Sequence, residues 1–329
     1  MKQSSFSEAE FGAKKKVTRR DRLLQTLDAR VPWAALNAVI EPHYPTSGRR
    51  GRPPIGVERM LRMYVLQQVL GLSDEGTEDA IYDSQSARAF VGIDLGRESV
   101  PDATTLLKFR RLLEKHALTK CMFDVINSEL EAEGLLLRKG TIVDATLIAA
   151  APSTKNVANA RDPEMRQSKK GKQWYFGMKA HIGVDAVSGL VHSVKATSGN
   201  EADVAHAGDV LHGKEELVLG DAGYTGIEKR EEHRDRPVKW LIAERRSKLD
   251  RLFKKGTPMR DHVDRVEYLK ASARAFVEHP FLVLKRRFHH RKARYRGIAK
   301  NEAQLFALFG LGNLLLIDRQ LCRAQERCA

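Results

Sequence analysis

Cysteine is scarce in this chain. Cys121, Cys322 and Cys328 are the three in 329 residues. An odd number so widely spread offers neither a disulfide framework nor a zinc-ligand spacing, and it fits a reducing cytoplasm. Long apolar runs are missing as well. None approaches the about 18 residues that a spanning helix needs, so no membrane partner is expected. The opening residues, Met1-Lys-Gln-Ser-Ser-Phe6, hold no apolar signal-peptide stretch. A glycine-rich Walker loop is absent, and so is any internal repeat. Acidic residues are in deficit: 42 Asp and Glu stand against 57 Lys and Arg, a formal charge of +15. That excess favours a polyanionic partner, most simply nucleic acid, over an unspecific basic surface.

The N-terminal part reads as helical. Residues 1–50 form a basic arm with a short helix. Lys14, Lys15, Lys16, Arg19, Arg20 and Arg22 crowd around one acid, Asp21, and both a solvated tail and a phosphate-contacting arm stay open. Apolar residues then recur at helical spacing from Leu23 to Ile40. The run Ser47-Gly-Arg-Arg-Gly-Arg-Pro-Pro54 is an extended linker, and Arg49, Arg50 and Arg52 suit a DNA minor groove. A solvated connector is the other reading. Residues 51–136 carry a helical pattern from Val57 to Leu72, an N-cap at Ser73, a second at Asp102 and a fourth helix from Leu118 to Glu133. Lys108, Arg110 and Arg111 on one of these helices point to a DNA-reading domain or to a plain scaffold.

From residue 137 to 320 strands and helices alternate, and 321–329 form a tail. Gly140-Thr-Ile-Val-Asp-Ala-Thr-Leu-Ile148 is a buried strand with Asp144 in its middle. An ionised Asp there needs a hydrogen-bond network, a partner or a metal. Residues 149–173 read as a polar, basic loop. Trp174 to Val184 alternates strictly, and Leu190 to Thr197 returns as a hairpin partner. Asn200 would cap a helix through Leu211. Glu216-Leu-Val-Leu-Gly-Asp221 is a fourth strand ending in a carboxylate, and Val238 to Ile242 is a fifth. Residues 244–270 are charged and weakly patterned.

This order is that of an RNase H-like fold: an antiparallel three-strand meander continued by parallel strands and helices. The fold class is therefore α/β, a mixed five-stranded sheet with helices, preceded by an all-α N-terminal domain. In such a sheet the first and fourth strands are neighbours, so Asp144 and Asp221 meet. Paired carboxylates recruit a hard cation, Mg²⁺ or Mn²⁺. A third acid comes from the final helix, where Arg274, Glu278 and Lys285 share one stripe. Pro280 opposes a continuous helix and favours a bend or restart.

Together these stretches carry a resemblance. Thr141-Ile-Val-Asp-Ala-Thr-Leu-Ile-Ala149, Gln173 to Asp185, Asp221-Ala-Gly-Tyr224, Val277-Glu-His-Pro-Phe281 and Arg294-Tyr-Arg-Gly-Ile-Ala-Lys-Asn301 resemble a bacterial insertion-sequence transposase of the DDE type, in the IS-five family. The resemblance implies that Asp144, Asp221 and Glu278 are the catalytic acids, with Arg274 and Lys285 as basic partners of the third. Ala271 stands where the wider pattern has tyrosine, and Leu282 where a basic residue is expected.

The implied chemistry is cleavage at the ends of an insertion sequence, then transfer of the 3′-OH into target DNA. Two ions about 3.5–4 Å apart would assist both steps. The partners are double-stranded DNA, as terminal inverted repeats and target, and a second copy of the chain in a synaptic complex. The expected place is the bacterial cytoplasm. Lys179, His181 and Tyr224 are further candidates for DNA contact, against packing or solvated roles. Eight Lys or Arg fall between Lys285 and Lys300 with no acid among them, including Arg286, Arg294 and Arg296; this is the strongest DNA-binding signal. A nuclease without strand transfer and a non-catalytic DNA-binding regulator are the rival readings.

Overall fold

Side-chain caps set where the first helices begin. The computed structural model describes residues 13–46, 53–157 and 159–328, and the chain divides into two units, Met1–Ile126 with Ile317–Ala329 and Asn127–Leu316. Helix α1 (Arg19–Arg30) starts at Thr18, whose hydroxyl accepts from the Asp21 amide while the Asp21 carboxylate accepts from the Thr18 amide. Two donors that a helix start leaves orphaned are thereby satisfied. Burial alone would raise the Asp21 carboxyl, but the Lys14 ammonium and Thr18 outweigh it and hold it at about 2. Helices α2 (Trp33–Ile40) and α3 (Val57–Leu70) follow, the latter ending on a left-handed Gly71. Ser73, Ser84 and Asp102 cap α4 (Asp74–Asp83), α5 (Gln85–Val91) and α6 (Ala103–Lys115). Helix α7 spans Leu118–Ala132. The apolar stripes of the first unit meet at Leu27, Leu36, Leu61, Tyr64, Ile81 and Phe109, all buried. Arg110 does not join Lys108 and Arg111 at the surface. It turns inward and pairs with Asp74.

The second unit is built on one sheet. Strand β1 (Gly140–Ala149) pairs antiparallel with β3 (Gln173–Asp185) and parallel with β5 (Leu217–Gly220), which pairs parallel with β6 (Lys239–Ile242). Thirteen residues long, β3 carries two partners end to end on its outer edge. β2 (Arg166–Lys170) pairs with its first part and β4 (Val191–Ser198) with the rest. The sheet thus has six strands rather than the five expected. The difference is β2, which lies in the segment read as a loop. Its sequence, Arg-Gln-Ser-Lys-Lys, has no apolar alternation, because an edge ribbon of this kind is held by main-chain bonds alone.

After β5 come 3₁₀ turns, and Asn200–Leu211, read as a helix, forms two 3₁₀ turns (Asp203–His206, Gly208–Val210). Residues 244–270 contain α8 (Arg246–Leu252) and most of α9 (Pro258–Arg274), the latter with Thr257 as cap and Pro258 in its first turn. A 3₁₀ turn (Ala275–Val277), α10 (Glu278–Leu282) and a π-type turn (Val283–Arg287) continue it. The restart at Glu278 puts Pro280 in a first turn, where its missing N–H costs nothing.

The last helix, α11, runs Ile298–Cys328, so residues set apart as a tail belong to it. By length and composition α11 could cross a membrane, but 61% of its most apolar window is buried in the protein. It covers the outer edge of β4: Glu302 accepts from the Ala196 amide, and Asn313 bonds both the amide and the carbonyl of Val191. An edge so occupied is closed to pairing with another chain.

Asp185 closes the β3–β4 turn. Fully buried, it accepts from the amides of Leu137, Arg138, Val187 and Ser188 and from the Ser188 hydroxyl. Replacing it by alanine strands these donors in the interior. Asp185→Ala is expected to cost about 2–4 kcal/mol, read as a fall in the thermal midpoint by circular dichroism, with Asp185→Asn falling less.

Candidate active site

Strand register brings the first two acids together. The last β1–β5 pair is Val143 opposite Gly220, so the next residues, Asp144 and Asp221, are adjacent as β5 ends. In-register residues of parallel strands point to the same face. Each carboxylate is fixed locally: Asp144 Oδ1 accepts from the Ala145 amide and Asp221 Oδ1 from the Gly223 amide, both at 2.8 Å. Close packing explains the neighbouring glycines. A Cβ on Gly220 would stand 3.2 Å from both Tyr224 Cδ2 and Val143 Cγ2, and one on Gly223 would press to 2.8 Å on Asp221 Oδ1.

The electrostatics are those of crowded acids. Burial, aided by the charges of Asp221 and Asp203, raises the Asp144 carboxyl from an ordinary 3.8 to about 6, against the Ala145 amide and the Arg274 guanidinium. Tyr224 is 1% exposed, and its phenol is pushed well above 10 by burial and then by Asp203, Asp144 and Asp221. Its hydroxyl has no hydrogen-bond partner among the described residues.

Glu278 is exposed at the start of α10, and no group of three or more His, Cys, Asp and Glu among the described residues is arranged to hold an ion. The 3₁₀ turn at Ala275–Val277 and the π-type turn at Val283–Arg287 break the regular 100° step. Arg274, Glu278 and Lys285 therefore do not keep one straight stripe. Arg274 is half-buried and acts on Asp144, while Lys285 Nζ donates to Thr146 Oγ1 and to the Leu147 carbonyl of β1. A hard divalent cation still fits the donor chemistry. Two carboxylates stand on adjacent strands, one carboxyl is pushed up by burial and then by its neighbour's charge, and a buried hydroxyl near them is unpartnered.

The other expected residues divide. His181 and Tyr224 offer no DNA-facing surface, which corrects the expectation for both. His181 is fully buried beneath the sheet edge, where Nε2 meets Thr197 Oγ1 at 2.8 Å and burial pushes its pKa down. Alternation alone could not tell a covered face from a solvated one. Lys179 is half-buried in an ion pair with Asp203. Arg286 and Arg296 are exposed, whereas Arg294 is half-buried and burial lowers its pKa. Arg49, Arg50 and Arg52 lie outside the described residues.

The basic segment is tied to the end of β1. Ala149 bonds to both Arg291 and Ala293, a short parallel bridge that extends β1. Asn301, fully buried, then holds the Arg294–Gly297 turn through four bonds to its main chain. Sequence reasoning missed Asp203, which carries charge into the site from a 3₁₀ turn. The one signal for it was the acid cluster after Asn200, which reads equally well as a helix surface.

Residues 136–314 match the family described as Transposase DDE domain, and residues 11–112 match Transposase domain (DUF772). A solved structure titled as a cryo-EM structure of a piggyBac transposase synaptic complex with hairpin DNA aligns with TM-score 0.47 and 10% identity. That alignment covers 94% of this chain and 78% of that one.

The raised Asp144 carboxyl has a pH signature. Its folded pKa exceeds the unfolded one, so the folded state prefers the protonated form. This group's contribution to stability is fully present below the unfolded value near 3.8 and is lost as pH rises through about 6. In chelator-treated protein, Asp144→Asn should raise stability by about 1–3 kcal/mol at pH 7.5 and by little at pH 4, measured as thermal midpoints at both pH values.

Proposed function

Because the chain belongs to the transposase DDE domain family, we propose that it cleaves DNA at the ends of an insertion sequence and joins the freed 3′-OH to target DNA. Membership of this family makes the chain a DNA-cleaving and transesterifying enzyme of DNA transposition that depends on a divalent metal. The observation that supports the finer reading is the register that sets Asp144 beside Asp221 as β5 ends. Placement in the IS-five family rests on the motifs alone.

Asp144 and Asp221 would hold the cation, Mg²⁺ or Mn²⁺, with Glu278 as the third acid from the helical segment that follows Arg274. A bound cation of this kind polarises the phosphodiester and lowers the pKa of an attacking oxygen. The protein's own residues do the rest. The Ala145 and Gly223 amides fix the two carboxylates. Arg274 offsets their charge before a cation arrives, and Lys285 holds the end of β1 through Thr146 and Leu147. Arg286 and Arg296, exposed on the segment tied to β1, neutralise backbone phosphates. Water attacks the phosphodiester at the element's end and releases a 3′-OH. That hydroxyl then attacks a target phosphodiester, so one bond breaks as one forms and no ATP is needed. Two ends must be joined, which calls for at least two copies in the working complex.

The test is a cleavage and joining assay on a duplex carrying the element's own end. Wild type with Mg²⁺ is expected to give joined product. Asp144→Asn and Asp221→Asn should lose about a thousandfold or more in cleavage yet still bind DNA. Glu278→Gln should fall with them. Cutting without joining would leave a nuclease, and binding without cutting would leave a regulator.

The basic segment gives a second expectation. Arg286→Gln and Arg296→Gln should each weaken DNA binding without regard to sequence. Each should also lower the salt dependence by about one unit of slope, measured by fluorescence anisotropy between low and moderate salt.

A further inference from the structure

The charge around Asp144 and Asp221 does not end with the acids that sequence spacing suggests. Asp203 opens the 3₁₀ turn Asp203–His206 after β4. Its Oδ1 takes a hydrogen bond from Lys179 Nζ at 2.8 Å and lies 3.9 Å from His181 Nδ1. On its other side it borders the loop that ends β5. A Cβ built on Gly223 would stand 3.8 Å from Asp203 Oδ2 and 2.8 Å from Asp221 Oδ1. One glycine therefore separates the two carboxylates.

Two buried polar atoms at this place have no hydrogen-bond partner among the described residues. They are the Tyr224 hydroxyl, 1% exposed, and His181 Nδ1, fully buried. Leaving such atoms unpaired is costly unless something is to be bound beside them. The charge of Asp203 acts on Tyr224 ahead of those of Asp144 and Asp221, and it acts on Asp144 as well. Lys179 tempers this charge. Its ammonium also bonds the Glu201 carbonyl, so the lysine is tied at two points and its charge stays beside Asp203.

Resting on the cation reading above, we propose that Asp203 is a positioning residue of the cation site. Lying against the loop that carries Asp221, it adds the negative charge that lets Asp144 and Asp221 take a divalent ion. Asp203 and Lys179 then work in opposite directions. The acid strengthens the site and the lysine restrains it. A salt bridge with a purely structural role would instead lose function in the same direction whichever partner is removed.

The experiment titrates Mn²⁺ alone into the full chain without DNA and follows free Mn²⁺ by electron paramagnetic resonance, with a thermal midpoint taken for every variant. Asp203→Asn is expected to bind about tenfold or more weakly, as loss of an outer partner of a metal site does. Asp203→Glu should recover most of the affinity. Lys179→Met should bind more tightly than wild type. Wild-type affinity in Asp203→Asn overturns the proposal, and so does a weakening in Lys179→Met that parallels Asp203→Asn. If Asp203→Asn fails to fold, the sign of the Lys179→Met effect decides. Asp144→Asn separates the two levels of the reading. If it too binds as wild type, the cation reading fails along with the proposal. If it loses binding while Asp203→Asn does not, the role of Asp203 alone is excluded.

Discussion

One register holds the rest in place: β5 lies parallel to β1 with Gly220 opposite Val143. A slip by one residue would send Asp221 to the other face of the sheet, away from Asp144. Apolar packing on one face fixes it. Val143, Val218, Tyr224 and Ile227 share a buried cluster with Val210 from the 3₁₀ segment, so a shifted β5 would tear that packing. A side chain on Gly220 would press on Ile242, Tyr224 and Val143. The motif Asp-Ala-Gly-Tyr thus acts as one unit. The aspartate faces its partner acid, the second glycine lets the chain turn against it, and the tyrosine locks the strand from beneath.

Buried polar side chains fasten the surrounding elements. Asp185 satisfies the turn after β3, Asn313 and Glu302 bind α11 to the open edge of β4, and Asn301 gathers the Arg294–Gly297 turn. Asp162 and Glu164 accept from the Gly297 and Ile298 amides, placing acids at the positive end of α11. Each anchor is a main-chain group caught by a side chain, an arrangement that tolerates little drift because the buried alternative is an unpaired amide.

Much of this was legible in the residues. The run around Asp144 reads as a strand because it is apolar and β-branched, and Trp174 to Val184 because it alternates. Ser73 and Asp102 announce their helices by cap chemistry. Family resemblance and strand order together give the α/β fold with its helical N-terminal region. Other features left no such trace. β2 has only polar and basic residues, and its pairing is main-chain work. The 3₁₀ turns after Asn200 carry helix-like spacing without enough length to be told apart. His181 and Tyr224 look like reach-out residues until the layers that cover them are known. Asp203 enters the site by tertiary placement alone, and the 3₁₀ and π-type turns interrupt the straight stripe that sequence periodicity gives Arg274, Glu278 and Lys285.

The acid pair also has a place in the order of folding. The β3–β4 hairpin and the β2–β3 ribbon join segments close in sequence, and their loops close at small entropic cost. The β1–β5 ladder instead joins segments with the whole meander between them, so it forms against a larger loop-closure cost and rewards late. A chain caught with its meander made but β5 undocked carries Asp144 alone, with no second carboxylate and no crowding to raise it. If the pair holds the cation as proposed, a chain in that state lacks the site, which forms only when the sheet is complete.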